Sequence, residues 1–354
     1  MNENRRDGTV ESDFDYQDHI LQDVSRTFAL TIPQLPADLT RVVGNAYLLC
    51  RIADTIEDDP SLDADQKRHF SESFIEVIGA ELPAQQFADA LYPLLSDSML
   101  EAEKDLIAHT GKIMRVTHGF SERRRAALAR CIRIMSRGMA DFQQQKTLDG
   151  LTDMAHMDRY CYYVAGVVGE MLTELFCDYS AEIDARRSEL QKLAVSFGQG
   201  LQMTNILKDI WEDRARGACW LPRDVFQRVG FDLAKLDKDY QREKFSLGLS
   251  ELIGIARLHL QNALAYTLLI PGHEAGIRRF CLWALGMAVL TLRKLNANTR
   301  FTSGQQVKIS RRSVKSVVLV SNLSVSHDAL LKLLFEAFTR SLPVAENPPK
   351  AILV

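Results

Sequence analysis

The chain has 354 residues, 46% of them hydrophobic and 25% charged, which is ample apolar material for a large core. Its net charge of −3 argues against nucleic acid as the main partner. Six dispersed cysteines with no C-x-x-C pair indicate a reducing compartment, and only 19 glycines and 10 prolines suit a mostly helical protein.

Residues 1–14 are polar, contain no apolar signal region, and read as a disordered tail. A helix starts over 15–24, followed by Ser25-Arg26-Thr27-Phe28 and a break near Pro33 and Pro36. Ser25, Arg26 and Thr27 offer donors to a phosphate; locally they also make an ordinary helix boundary. The next helix, about 37–57, carries an acidic pair at its C-terminal end. Asp54 and Asp58 lie one turn apart with Glu57 between them, and Arg51 precedes Asp54 on the same face, placed to orient that carboxylate or meet a phosphate oxygen. Pro60 stops the helix. Amphipathic helices are predicted at 62–80, 84–108 and 122–145, and the run Arg123-Arg124-Arg125 reads as a solvated face.

Residues 151–177 carry Tyr160-Cys-Tyr-Tyr-Val164-Ala165-Gly166 and Gly169. A glycine in a helix interior costs roughly 1 kcal/mol against alanine, so this small face implies close helix packing or a wall that a long ligand passes. The tyrosines are by type core residues, yet a phenol in an apolar cavity steadies a cation or moves a proton. Within a helical segment at 181–215, Gln202, Asn205, Asp209 and Asp213 recur at steps of three or four and share one face, with Lys208, Glu212, Arg214 and Arg216 just off it. One such acidic pair is common on a solvated helix. Two pairs at the same spacing, facing each other across a cavity, suit Mg²⁺, which takes one or two carboxylates and fills its octahedron with water and substrate phosphates.

Trp220-Leu221-Pro222 is expected to fold back over the cavity mouth. Helices are predicted at 247–268 and 275–299. The apolar run Phe280–Leu292 within the second is that of a buried helix and is too short to cross a bilayer. A break at 296–304, a basic stretch around Lys308, Arg311, Arg312 and Lys315, a final helix at 324–341 and a Pro-containing tail at 343–354 complete the chain. There is no repeat, sheet-like alternation, Gly-rich phosphate loop or zinc spacing.

Ser25-Arg26-Thr27-Phe28, Asp54-Thr-Ile-Glu-Asp58, Tyr160-Cys-Tyr-Tyr-Val-Ala-Gly166 and Gln202-x-x-Asn205-x-x-x-Asp209-x-x-Glu212-Asp213 together resemble the squalene/phytoene synthase family of head-to-head prenyl transferases, from about Ser25 to the last helix. The D-T-I-E-D form of the first acidic motif, and the stretch Leu295-Asn-Ala-Asn-x-x-Phe301-x-x-Gly304-x-x-Val307-Lys308-Ile309, look closer to the family's squalene synthases than to its phytoene synthases. The family commonly has an arginine after the glycine of the second-motif loop, whereas Ala218 follows Gly217 here, which leaves Arg214 or Arg216 to supply that charge.

The resemblance implies an all-α fold, a single-domain isoprenoid-synthase-type helical bundle around a central apolar cavity, over residues 15–342. It implies Mg²⁺ on Asp54, Glu57, Asp58, Asn205, Asp209 and Asp213, and diphosphate contacts from Ser25, Arg26, Arg51, Gln202, Lys208, Arg214 and Arg216. Phe28, Tyr47, Val164, Ala165, Gly166, Leu201 and Phe280 would line the pocket for the substrate tails. Tyr160 would handle a proton, and Thr27, Lys308, Arg311 and Arg312 would bind NADPH. The implied reaction joins two farnesyl diphosphates to presqualene diphosphate and reduces it to squalene, in a cytoplasmic monomer with possible peripheral attachment to a membrane for product release. A non-reducing synthase, an enzyme that stops at presqualene diphosphate, and a non-catalytic helical scaffold remain as alternatives.

Overall fold

The computed structural model describes residues 3–25, 27–236 and 242–346, with only the backbone described for 3–12 and Arg242. Arg26, one of the expected phosphate contacts, and most of the C-terminal tail lie outside the described residues. Among the described residues the structure is helical, with one isolated bridge, between Leu151 and Pro222, and no strand. The chain divides into two compact units, Met1–Gln144 with Glu174–Asp184, and Gln145–Thr173 with Ala185–Val354.

The first unit contains α1 (Glu3–Val24), α2 (Ala37–Asp58), α3 (Ala64–Ile78), α4 (Ala84–Leu91), α5 (Glu101–Ala108), α6 (Thr110–His118) and α7 (Glu122–Gln144). α1 reaches back to Glu3, into the stretch expected as a tail. Pro36 precedes α2 and Pro60 follows it, so its bounds match the sequence expectation closely. Asp63 begins α3 with a reciprocal capping box to Gln66, satisfying two otherwise orphaned amides. The expected single helix over 84–108 is two helices, because Pro93 enters a tight turn at Tyr92–Leu94 and extended backbone follows at Leu95.

α2 is the core of this unit. Leu39, Val42, Val43, Ala46, Leu49, Ile52 and Ile56 are all buried. Its one buried amide, Asn45, donates from Nδ2 to Gln17 Oε1 (3.1 Å) and to the Ile113 carbonyl (3.1 Å), and accepts from Thr117 Oγ1 (2.9 Å). Burying an amide unpaired costs a few kcal/mol; here it is fully used and ties α1, α2 and α6 in register.

The second unit contains α8 (Met154–Cys161), a wide π-type turn at Tyr162–Gly166, the first turns of α9 (Val167–Tyr179), α10 (Arg187–Lys208), α11 (Ile210–Ala215), α12 (Arg223–Arg228), α13 (Arg242–Leu269), α14 (Ala275–Ala297), α15 (Arg311–Ser324) and α16 (Asp328–Thr339). Helices α6, α12 and α15 were not among those expected, and α16 is shorter than expected. The small face of Tyr160–Gly169 is used for close packing. A Cβ on Gly169 would lie 2.1 Å from the Ala194 carbonyl oxygen, and one on Gly198 would lie 2.1 Å from that of Ala165. Only glycine lets these backbones meet.

Arg278, 2% exposed, donates to the carbonyls of Ile270 (2.8 Å) and Val325 (3.0 Å) and pairs with Asp328 (2.6 Å), fastening α14 to the end of α13 and the start of α16. α14, at 23 residues, is longer than the apolar run read from the sequence. By length and composition it passes the test for a membrane span, but 61% of its apolar window is buried inside the chain, as in a core helix.

Candidate active site

The first acidic pair sits at the C-terminal end of α2. Asp54 and Asp58 line a cavity of about 140 Å³ together with Arg51, Asp59, Ser98 and Glu103. Arg51 is held in place from several sides. Its Nη2 donates to the Val24 carbonyl (3.0 Å) and lies 3.3 Å from the Tyr47 hydroxyl, and its Nη1 is 3.6 Å from Glu103 Oε1. The buried Arg51 Nε has no hydrogen-bond partner. Burial pushes the Asp54 carboxyl up to about 7; Arg51 opposes this, and Asp58 and Glu103 add to it.

Glu57 is placed differently from Asp54 and Asp58. The sequence suggested a metal ligand beside Asp58, but Glu57 is 9% exposed, accepts from Gln143 Nε2 (2.8 Å), and does not line the cavity. Burial, followed by the nearby Asp58 charge, pushes its carboxyl up to about 8. Its backbone carbonyl accepts from the Lys67 ammonium. Nearby, Ser25 Oγ accepts from the Phe28 amide (3.0 Å), and the Phe28 and Tyr47 rings lie 5.1 Å apart. Thr27 is exposed.

The second acidic pair spans a helix junction rather than one unbroken helix. α10 ends at Lys208 and α11 starts at Ile210, with Asp209 between them at φ −102° and ψ 17°. The amides of Asp209 and Asp213 still bond to the carbonyls four residues back (both 2.9 Å), so the one-turn spacing survives the kink. Lys208 Nζ contacts both Asp209 oxygens (2.7 and 2.6 Å), and Arg216 Nη2 reaches Asp213 Oδ1 (2.6 Å). Arg214 is turned to the carbonyls of Leu148 (3.0 Å) and Leu233 (3.3 Å). Asn205 is exposed and Gln202 half-buried. The two pairs therefore differ electrostatically: the second has cations of its own segment on both carboxylates, while the first crowds three acids around one arginine.

The segment following α14 lies against this second pair. The Gly304 amide donates to Glu212 Oε1 (2.8 Å), and Trp211 Nε1 donates to the Phe301 carbonyl (2.7 Å). Beyond the short turn Gly304–Val307, Lys308 and the first residues of α15, Arg311 and Arg312, are exposed, and Ser310 caps α15 through the Ser313 amide (3.1 Å).

Tyr160 is 6% exposed, and its ring stacks on Trp220 with centroids 4.2 Å apart and planes 10° apart. That stacking is set by backbone. The Cys219 amide donates to the Thr147 carbonyl (2.9 Å), and Leu151 exchanges amide bonds with Leu221 and Arg223 (2.9 and 2.8 Å). Of the expected pocket residues in this unit, Gly166 and Phe280 are buried and Val164, Ala165 and Leu201 half-buried. Two groups escaped the sequence reading. Glu103 joins Asp54 only through the tertiary fold. Asp158, two residues before Tyr160, has a buried Oδ1 with no hydrogen-bond partner, and burial pushes its carboxyl up to about 6.

The donor set fits Mg²⁺. It is oxygen only, and the first cavity is short of positive charge, which is where a divalent cation gains most. Among the described residues no three His, Cys, Asp or Glu side chains enclose a metal position, so carboxylates would supply only part of each octahedron. The exposed cations after Gly304 fit a nucleotide phosphate.

Similarity to known proteins agrees with this chemistry. The squalene synthase of Eremothecium gossypii is 29% identical over 304 residues, 85% of this chain and 66% of that protein. Squalene synthase BSS of Botryococcus braunii is 31% identical over 313 residues, 86% of this chain and 63% of that protein. This chain thus spans about two thirds of the length of these relatives. Among solved structures, a TcSQS–ligand complex superposes with a TM-score of 0.74 at 24% identity, covering 93% of this chain and 91% of that one. A dehydrosqualene synthase with a bound ligand gives 0.61 at 19% identity, covering 93% and 98%. These two likenesses establish the fold, the isoprenoid-synthase-type helical architecture. The squalene/phytoene synthase profile matches residues 21–313, and the chain belongs to that family.

Proposed function

We propose that this chain is a squalene synthase: it joins two farnesyl diphosphates head to head and reduces the presqualene diphosphate so formed to squalene. The observation that carries the reading is the clamp of Gly304 on Glu212, which ties the segment leading to Lys308, Arg311 and Arg312 to the second acidic motif. Lys208, Arg214 and Arg216 already serve the diphosphate of the condensation, and a reductant carrying a phosphate gives the further exposed cations Lys308, Arg311 and Arg312 a use. Family membership and the squalene synthase relatives support the same reading.

In this reading Asp54 and Asp58 serve one diphosphate, and Asn205, Asp209 and Asp213 the other. Bound Mg²⁺ would supply positive charge to the leaving diphosphates, and NADPH would supply the hydride. Arg51, pre-oriented by Val24, Tyr47 and Glu103, presents a fixed guanidinium to phosphate oxygens, so little reorganisation is needed as charge develops. Lys208 and Arg216 exchange their carboxylate contacts for phosphate, and Ser25, Arg26, Gln202 and Arg214 complete the diphosphate contacts. Tyr160, fixed by Trp220, moves the proton lost on cyclopropane closure. Phe28, Tyr47, Val164, Ala165, Gly166, Leu201 and Phe280 keep water from the cations. Thr27, Lys308, Arg311 and Arg312 hold the dinucleotide. The enzyme acts as a cytoplasmic monomer.

Incubation with farnesyl diphosphate and Mg²⁺, with and without NADPH, tests this. Squalene should form only with NADPH. The same hydrocarbon in both incubations would mean a non-reducing synthase, and presqualene diphosphate accumulating despite NADPH would mean an enzyme that stops halfway.

A further inference from the structure

The exposed large apolar side chains are not spread evenly. Seven of the thirteen among the described residues fall between Leu319 and Val344, on or just after the last two helices. On α15, Leu319 and Leu323 are 60% and 71% exposed, one turn apart; on α16, Leu330 and Leu333 are 41% and 62% exposed, also one turn apart. Each helix therefore carries an apolar stripe on the side turned to solvent, in addition to the one it buries. Between these helices and α14 lies an open cavity of about 310 Å³, floored by Gly286 and Val289 and walled by Val320, Leu334 and Phe338. A monomer in water gains nothing from such a concentration of exposed apolar side chains, which marks a docking site.

The charge around the patch selects the partner. From Gly304 to His327 there is no acidic residue, and Lys315 is exposed on α15. Arg293 reaches over the Phe338 ring at 5.3 Å, and Lys332 and Arg340 are exposed on and just after α16. On α16 the Asp328 carboxylate is paired with Arg278, and Glu336 is a second exposed acid of that helix. Exposed leucines on helices that also carry exposed lysine and arginine suit an interfacial surface: the apolar side chains enter the acyl boundary while the cations meet anionic headgroups. A second copy of the chain would set the same cations against one another.

We infer that the solvent-facing side of α15 and α16, with its groove, docks reversibly on an anionic lipid bilayer, the groove taking an acyl chain. This names the contact for a membrane association that the proposed reaction only makes desirable, since a hydrocarbon product needs an apolar destination. It is measured without turnover, so it stands or falls separately from that reaction.

The test is co-sedimentation of the whole chain with vesicles of phosphatidylcholine containing phosphatidylglycerol, and with vesicles of phosphatidylcholine alone. Binding should be stronger on the anionic vesicles and weaken as salt rises. Lys315→Glu should weaken anionic binding about fivefold or more. The double variant Leu323→Ser/Leu333→Ser should weaken it about tenfold or more. Circular dichroism should be unchanged for both, because these side chains are exposed. No association with either vesicle would overturn the inference, as would variants that bind like the parent. A soluble dimer dispersed by the leucine changes would overturn it too, by making this face a contact between copies.

Discussion

The amide of Gly304 donates to Oε1 of Glu212 at 2.8 Å, joining the segment after α14 to the middle of the second acidic motif. There is no room there for a side chain. A Cβ on Gly304 would lie 3.1 Å from Glu212 Oε1, 3.1 Å from the Lys208 carbonyl and 3.2 Å from Asp209 Oδ1. The carboxylates can move by the few tenths of an ångström required, but the Lys208 carbonyl, in the last turn of α10, cannot. Gly304→Ala should therefore displace the turn that leads to Lys308. The expected result is a stability loss of about 1–2 kcal/mol and a larger effect on reduction than on condensation. Product analysis with NADPH present checks it: the ratio of presqualene diphosphate to squalene should rise. An unchanged ratio would separate this clamp from the reductive step.

Asp54 gives a prediction in which stability and activity move in opposite directions. Its carboxyl is pushed up by burial and by Asp58 and Glu103. Asp54→Asn removes that repulsion while keeping the shape, so the denaturant midpoint should hold or rise. Turnover should fall by about a thousandfold or more, the scale of losing a preorganised electrostatic contact. If midpoint and turnover fell together, Asp54 would be a structural group.

Both acidic pairs were readable in the sequence because each is a local, one-turn relationship, and α2 was readable because its apolar spacing ends at prolines on both sides. What was not readable is set by distant residues. Glu57 and Asp58 are neighbours of one chemical kind, and only the folded chain shows that Asp58 lines the cavity while Glu57 is paired with Gln143. Glu103 looks like any first-turn acid of a short helix until the fold brings it to Arg51. The kink at Asp209 has no glycine or proline to announce it. For the small face at Gly166 and Gly169 the sequence left two uses open, and the carbonyl of Ala194 against Gly169 settles on packing for that glycine.

The close approach in the second unit predicts an ordering of glycine substitutions. At Gly198 an added Cβ would meet the Ala165 carbonyl at 2.1 Å, so the two helices must part, at about 3 kcal/mol or more. At Gly217 the backbone is left-handed (φ +79°) but nothing lies within 4 Å of an added Cβ. Gly217→Ala should cost only about 1–2 kcal/mol, the left-handed penalty. Chemical denaturation of the two variants checks the order, and equal losses would sink the packing argument.

The last prediction concerns pH. His259, 1% exposed on α13, is joined through Nδ1 to Ser196 Oγ (2.8 Å), and Ser196 Oγ also accepts from Asn262 Nδ2 (3.0 Å). The ring is held neutral, and its Nε2 is buried without a partner. Burial holds the folded-state pKa down to about 3. In the unfolded chain the ring titrates near 6.5. Between these values the unfolded state binds a proton that the folded state refuses, so His259 costs stability as pH falls, at about 1.4 kcal/mol per pH unit. Above about 6.5 its contribution is flat. Asp54, Glu57 and Asp158 are shifted upward and act in the opposite sense, so the total profile mixes signs. Comparison with His259→Gln isolates the histidine. At pH 7.5 the variant should be less stable by about 1–3 kcal/mol, having lost the Ser196 bond. Toward pH 4 the gap should close and then reverse, because glutamine takes up no proton. Two parallel stability profiles between pH 7.5 and pH 4 would show that the imidazole is not held neutral by the fold.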